Sequence, residues 1–224
     1  MYIKFFLHIN IKLIVSSFYL NNRINQLFST KDIIRMYPNN LYRIKEFLKN
    51  KFLIKSLKVK KNIDFGNIRA NNFFLSCLKN SNFYFEYGSG SSTLLATKLK
   101  KKFVSIESDY KFFRVMLNKI KTPSIKFVSI GPTLAFSYPL FIFKKKILDY
   151  INSIDYFFKK KKIPDLILID GRFRVACSLN LLNFKREILS KKTIIILDDY
   201  KKRSHYRDLN FFFSIKEVGR MAIL

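Results

Sequence analysis

Phe83-Tyr84-Phe85-Glu86-Tyr87-Gly88-Ser89-Gly90-Ser91-Ser92-Thr93 runs through Leu94–Lys102 into Phe103-Val104-Ser105-Ile106-Glu107-Ser108-Asp109. This stretch decides the fold. An aromatic run ends in an acid and a Gly-x-Gly turn. Leu94, Leu95 and Leu99 then share a helical face, and a second apolar run ends in another acid. The pattern predicts a strand, a glycine turn, a helix and a second strand, the first half of a nucleotide-type α/β unit. Gly88 and Gly90 lack Cβ and let the backbone approach a ligand closely. A dinucleotide turn would carry a third glycine, but Thr93 stands there. Glu107 offers two acceptor oxygens, enough for both hydroxyls of a ribose. No P-loop lysine accompanies the turn.

Working outward, Ile68–Leu78 should be a helix leading into the first strand, Asn82–Glu86. The helix after the turn spans Ser91–Lys101, and the second strand Lys102–Glu107. Asp109 caps a helix running to Ile120, which Thr122-Pro123 ends. The third strand is read over Ile125–Ile130, closed by Gly131-Pro132-Thr133, with a helix over Leu148–Lys160. Asp165–Asp170 and Lys192–Leu197 are unalternating apolar runs, as expected of strands buried on both faces. A helix over Arg172–Glu187 separates them. Ser204 to about Phe212 is read as helical, and Lys216–Leu224 as one strand or a hairpin around Gly219. Strands alternating with helices predict an α/β fold, a doubly wound, mostly parallel sheet with helices on both faces. This domain is assigned residues 65–224. Residues 1–64, with helical spacing at Leu41, Ile44, Phe47 and Leu48, are assigned to a helical N-terminal extension.

Composition bounds the function. With 224 residues, 49% of them hydrophobic, the chain can build one real core. The net charge of +28 fits a polyanion partner such as RNA. It equally fits a composition rich in Lys, Asn, Ile, Phe and Tyr, because the lysines are spread along the whole chain. Cys77 and Cys177 are the only cysteines and form no zinc-type pattern. His8 and His205 are the only histidines, which excludes a multi-histidine metal site. The most apolar N-terminal run, Leu13–Asn22, is far short of the ~20 residues a membrane-crossing helix needs, and no small-residue cleavage site follows it. A reducing, cytoplasmic location is expected.

In an open parallel sheet, ligands bind beyond the carboxyl ends of the strands. Glu86, Glu107, Asp170 and the Asp198-Asp199 pair all fall at predicted strand ends, and a buried acid without a partner is costly. Together they mark a site. Arg172 and Arg174 follow Asp170 directly. They either clamp an anionic substrate or neutralise the aspartates. His205 is the other proton acceptor near this edge. Tyr200 and Tyr206 either line the pocket or pack in the core.

These blocks carry a resemblance. Glu86-x-Gly88-x-Gly90 with Glu107 on the next strand resembles class I S-adenosylmethionine-dependent methyltransferases. Ile130-Gly131-Pro132-Thr133, Asp170-Gly171-Arg172-Phe173-Arg174-Val175-Ala176, Leu197-Asp198-Asp199-Tyr200, Ser204-His205-Tyr206 and Gly219-Arg220-Met221-Ala222 extend it to a group of bacterial methyltransferase-like proteins. The resemblance covers residues 70–224. It implies a Rossmann-like sheet of order 3-2-1-4-5-7-6. It also implies that Glu86, Gly88 and Gly90 surround the methionine and adenosine moieties of S-adenosylmethionine, that Glu107 holds the ribose, and that the loop at Ile130 lies near the adenine. Some small-molecule O-methyltransferases bind a divalent ion with acids at the fourth and fifth strand ends. By similarity, Asp170, Asp198 and Asp199 would bind Mg²⁺, which suits carboxylate oxygens.

The expected function is S-adenosylmethionine-dependent methyl transfer to oxygen of a small or sugar-like molecule, with metal assistance. Asp170 and His205 are the expected catalytic groups, and Arg172 and Tyr200 the expected substrate contacts. The alternatives are an RNA or protein methyltransferase and a non-catalytic binding protein on the same fold. The absence of an Asn-Pro-Pro-Tyr-type motif after the fourth strand argues against amino methylation of bases. Thr93 argues against a nicotinamide-dependent oxidoreductase.

Overall fold

The computed structural model describes residues 59–133, 137–139, 141–201 and 203–224. The expected helical extension lies, up to residue 58, outside the described residues. Seven strands form one sheet: β1 Phe83–Tyr87, β2 Lys102–Glu107, β3 Ile125–Phe127, β4 Leu166–Ile169, β5 Ile194–Leu197, β6 Lys216–Val218 and β7 Met221–Ile223. Their order is β3-β2-β1-β4-β5-β7-β6, as the resemblance implied. The first five pair in parallel, and β7 runs antiparallel to β5 and β6. The helices are α1 Ile68–Asn80, α2 Ser91–Lys98, α3 Tyr110–Ile120, α4 Lys144–Ile151, α5 Asp155–Lys159, α6 Arg174–Asn180 and α7 Lys185–Lys191. Among the described residues no helix is long and apolar enough to cross a membrane.

The sheet sorts its side chains by the strand period of two. On one face Tyr84, Leu166, Leu168 and Ile196 meet Phe74 and Leu78 of α1, Ala96 of α2 and Met116 of α3 in one buried cluster. Helix α1 presents Ala70, Phe74 and Leu78 at four-residue spacing, and Asn67 caps it by accepting the Ala70 N–H at 2.8 Å. Val59 and Phe65 close the same cluster from its edge. Phe83, Phe85 and Tyr87 point to the other face, tilted or edge to face against Phe157 and Tyr150 at 5.4–5.7 Å between ring centroids. Aromatic geometry of this kind adds about 0.5–1.5 kcal/mol per pair beyond area burial.

Four elements differ from the sequence pattern. Strand β3 stops at Phe127 instead of Ile130, and its direction is lost at Gly131, which sits at φ +103 against the Phe143 ring. The helix expected over Leu148–Lys160 starts at Lys144 and is broken by a 3-10 turn, Asn152–Ile154. There Ser153 donates to the carbonyls of Asp149 and Tyr150. The helix expected from Arg172 starts only at Arg174, because Phe173 takes a left-handed conformation at φ +53. Arg172 is thereby left in the β4–α6 loop. Ser204–Phe211 is a 3-10 segment and not an α-helix.

Besides the β5–β7 pairing, one side chain fastens the carboxyl-terminal hairpin to the parallel part. Arg220, in the β6–β7 turn, grips Asp198 with two hydrogen bonds of 2.8 and 2.7 Å. Asp198 is 1% exposed. Arg220→Ala would strand that carboxylate without its pair, a change that costs about 3–5 kcal/mol. Urea unfolding should show a loss of that size, and a loss under about 1 kcal/mol, the worth of a surface pair, would contradict the role given to Arg220.

Candidate functional site

The carboxyl ends of β1, β2, β4 and β5 lie side by side, so the four acidic strand ends meet on one edge. Each has a different task. Glu86 is fully buried. Its Oε2 accepts the hydroxyls of Tyr84 and Ser92, both at 2.6 Å, and its Oε1 accepts the Thr93 hydroxyl. The Thr93 oxygen in turn accepts the Gly90 N–H at 2.8 Å. Glu86 therefore fastens the glycine loop and the first turn of α2 from behind. Internal donors meet both of its oxygens. Burial raises its pKa, and the hydroxyls of Ser92, Thr93, Tyr84 and Ser105 oppose the rise.

The two glycines of the loop also divide their work. Gly88 sits at φ +90, and a Cβ there would lie 2.7 Å from the Gly171 backbone of the β4–α6 loop. It is needed for the contact between two strand ends. Gly90 has extended backbone, and a Cβ built on it would meet nothing within 4 Å. Gly90 is the glycine that faces open space beside the loop.

Glu107 ends β2 and is 4% exposed. Its Oε1 accepts the N–H groups of Ser108 at 2.7 Å and Asp109 at 2.8 Å, and Oε2 accepts the Ser89 N–H at 3.0 Å. The Ser137 hydroxyl approaches Oε1 at 3.4 Å. The carboxylate plane is thus fixed, with Oε2 beside the glycine loop. Burial pushes its pKa up to about 7, against the pull of these N–H groups. Asp109 caps α3 as expected, accepting from Lys111 and Phe112, and takes the Thr133 hydroxyl at 3.0 Å. Ile130 is fully buried in this region. Its side chain is core, so any contact with an adenine would come from its backbone.

Beyond β4 and β5 the acids are bound by arginines. Arg174, 8% exposed, pairs with Asp170 at 2.7 Å and Asp199 at 3.2 Å. It also donates to the carbonyls of Asp170, Gly171 and Asp198, so one guanidinium ties the two strand ends together. Arg220 holds Asp198 and reaches Asp199 at 3.2 Å, and Arg203 reaches Asp199 at 3.4 Å. A divalent cation needs several free carboxylate oxygens around one point. Asp170, Asp198 and Asp199 instead face guanidinium groups, and among the described residues no cluster of three His, Cys, Asp or Glu is placed to hold an ion. The Mg²⁺ expectation is corrected on that ground. Of the two arginines whose role the sequence left open, Arg174 neutralises the acids.

Asp170 keeps 36% of its side-chain surface. Its pKa is raised by enclosure, with Arg174 pulling it down and Asp198 and Asp199 pushing it up. His205 is exposed on the 3-10 segment, its ring edge-on to Tyr206 at 4.6 Å. Partial enclosure and Arg203 lower its pKa. Tyr200 is buried and donates to Asn210 at 2.9 Å, which fixes the 3-10 segment. Arg172 is half-buried, with its guanidinium 4.0 Å from the centre of the Tyr138 ring. Sequence reasoning missed Arg220 and Tyr138. Arg220 lay in view within Gly219-Arg220-Met221-Ala222, but nothing local indicates that it turns back to Asp198.

No protein-family model matches the sequence, and no curated protein matches it. Among solved structures the chain is similar to a methyltransferase-like protein from Silicibacter pomeroyi DSS-3. The two share 24% identity over 73% of this chain and 88% of that one, with a TM-score of 0.56. A candidate O-methyltransferase from Klebsiella pneumoniae aligns at 17% identity over 80% of this chain and 72% of that one, with a TM-score of 0.36. That score is too low to carry weight. The first likeness is one of fold, and the chain shares the Rossmann-like architecture of that methyltransferase-like protein.

The division between the glycines is measurable. Gly88→Ala adds a Cβ at positive φ against immovable backbone and should cost about 2–4 kcal/mol. Gly90→Val fills open space and should cost about 1 kcal/mol or less. Urea midpoints that place Gly90→Val as the more damaging change would contradict the assignment.

Proposed function

We propose that the chain is an S-adenosylmethionine-dependent methyltransferase acting on a hydroxyl oxygen of a small or sugar-like molecule. Glu107 carries this reading: a carboxylate fixed by three backbone N–H groups at a strand end, with one oxygen beside the glycine loop. Two ribose hydroxyls are the natural donors to such a group. The open space at Gly90 fits the same ligand. The likeness of fold to a methyltransferase-like protein supports the reading.

When bound, the cofactor supplies an activated methyl group on a sulfonium. The residues of this chain orient and accept. Glu107 and the Gly88–Gly90 loop hold the adenosyl end, and Glu86 keeps that loop rigid. Methyl transfer is an in-line displacement, so positioning carries much of the rate. The acceptor hydroxyl must lose a proton as its bond to carbon forms. Asp170 is the acceptor in this reading, because it lies at the end of β4, keeps an exposed edge and has a raised pKa. His205, exposed on the 3-10 segment, is the weaker choice. Tyr200 is assigned to holding that segment and not to substrate contact.

The pH dependence has a definite sign. Glu107 takes up a proton on folding between its ordinary carboxyl range and about 7, so its ionisation destabilises the fold as pH rises through 7. The ionised form is the stronger acceptor for two ribose hydroxyls, because the protonated form turns one oxygen into a donor. Affinity for S-adenosylhomocysteine should therefore rise between about pH 6 and 8, and Glu107→Gln should flatten that rise. Thermal melts with the ligand at ~100 times its Kd should shift by roughly 5 °C for the adenosyl compounds and not for NAD. No shift with S-adenosylmethionine or S-adenosylhomocysteine at millimolar concentration would end the proposal.

A further inference from the structure

We propose that the methyl acceptor is a small oxyanion, carrying a carboxylate or phosphate, gripped by Arg172 and Arg203 at the mouth of the site. The inference rests on the methyltransferase reading above and names the substrate class of that same site.

The charges around the ends of β4 and β5 do not balance. Asp170, Asp198 and Asp199 pair with Arg174, Arg203 and Arg220, and Arg172, two residues after Asp170, adds a fourth guanidinium to this edge. Arg174 and Arg220 take all three acids at 2.7–3.2 Å. The Arg203 contact with Asp199, at 3.4 Å, is the longest of the set and falls on a carboxylate already shared by two others. Arg172 makes no ion pair with a carboxylate among the described residues. Its guanidinium lies over Tyr138 at 4.0 Å and Arg203 lies by Tyr206 at 5.6 Å. Stacking fixes a guanidinium plane while leaving N–H groups along its edge for an acceptor in that plane.

The two arginines converge. The approach of Arg172, foremost, and of Arg203 lowers the pKa of the Tyr138 hydroxyl. Both also act on Tyr206. A neutral phenol ring is a weak substitute for a charged acceptor, since hydrogen bonds between ions are roughly twice as strong as neutral ones. The location is also suitable. Arg172 lies in the loop after β4, where open parallel sheets bind ligands, two residues from Asp170. An anion held there would place a neighbouring hydroxyl near Asp170. The exposed lysines that dominate the chain's charge have no such arrangement. Arg203 is 32% exposed and sits between the Tyr206 ring and the Asp199 carboxylate.

The test uses the full chain saturated with S-adenosylhomocysteine. Inorganic phosphate and succinate are titrated separately by calorimetry at constant ionic strength. Saturable binding of one is expected, and the stronger arm says whether phosphate or carboxylate is preferred. Arg172→Gln and Arg203→Gln should each weaken it about tenfold or more, while the Kd for S-adenosylhomocysteine stays within about twofold, which also shows that each variant is folded. No saturable binding of either anion, or equal anion binding by wild type and both variants, overturns the proposal. If anions bind through the arginines but S-adenosylhomocysteine binds to none of the three proteins, the methyltransferase reading falls, and with it the assignment of the anion as methyl acceptor.

Discussion

A buried carboxylate organises this protein. Glu86 has no exposed surface, and an ionised acid so placed is costly unless its lone pairs are used. Three hydroxyls use them: Tyr84 from the same strand, and Ser92 and Thr93 from the first turn of α2. Thr93 passes the constraint on to the Gly90 N–H. Ser105, opposite Glu86 in register on β2, joins from the side and also meets the Ser89 hydroxyl at 2.7 Å. Strand β1, strand β2, the glycine loop and helix α2 are thus fixed through one group. The Glu107 carboxylate, which accepts from the Ser89 N–H, inherits its position from that arrangement.

The other half of the edge is built from charges and not from hydroxyls. Arg174 ties β4 to β5, and Arg220 ties β5 to the closing hairpin. Low exposure makes these pairs consequential, because removing one partner strands the other in a poorly solvated place. The same saturation explains why these acids, so suggestive of a cation site in the sequence, do not serve as one. It also leaves Arg172 and Arg203 as the least committed of the four guanidinium groups on this edge.

Much of this was legible in the sequence, for physical reasons. Unalternating runs such as Leu166–Ile169 mark strands covered on both faces, and acids at the ends of such runs have few stable reasons to be there. The strand ends of the site and the Asp109 cap followed from that pattern. The sheet order came from the resemblance and agrees with the structure. In the sequence Thr93 reads as a missing glycine, whereas in the structure its hydroxyl links Gly90 to Glu86. The placement of Glu86 behind the loop could have been suspected from its sharing a strand face with Tyr84. Arg220 could not, because its partner Asp198 is distant in sequence and no periodicity connects them. Nor does any local signal tell that Phe173 adopts a left-handed turn and leaves Arg172 outside the helix.

The most direct test of the account is a crystal structure of the full chain with S-adenosylhomocysteine. The account predicts both ribose hydroxyls within hydrogen-bond distance of Glu107, adenosyl atoms against the open side of Gly90, and Glu86 still bonded to Tyr84, Ser92 and Thr93 with no ligand contact. A ligand bound elsewhere, or one that contacts Glu86 directly and leaves Glu107 untouched, would contradict it.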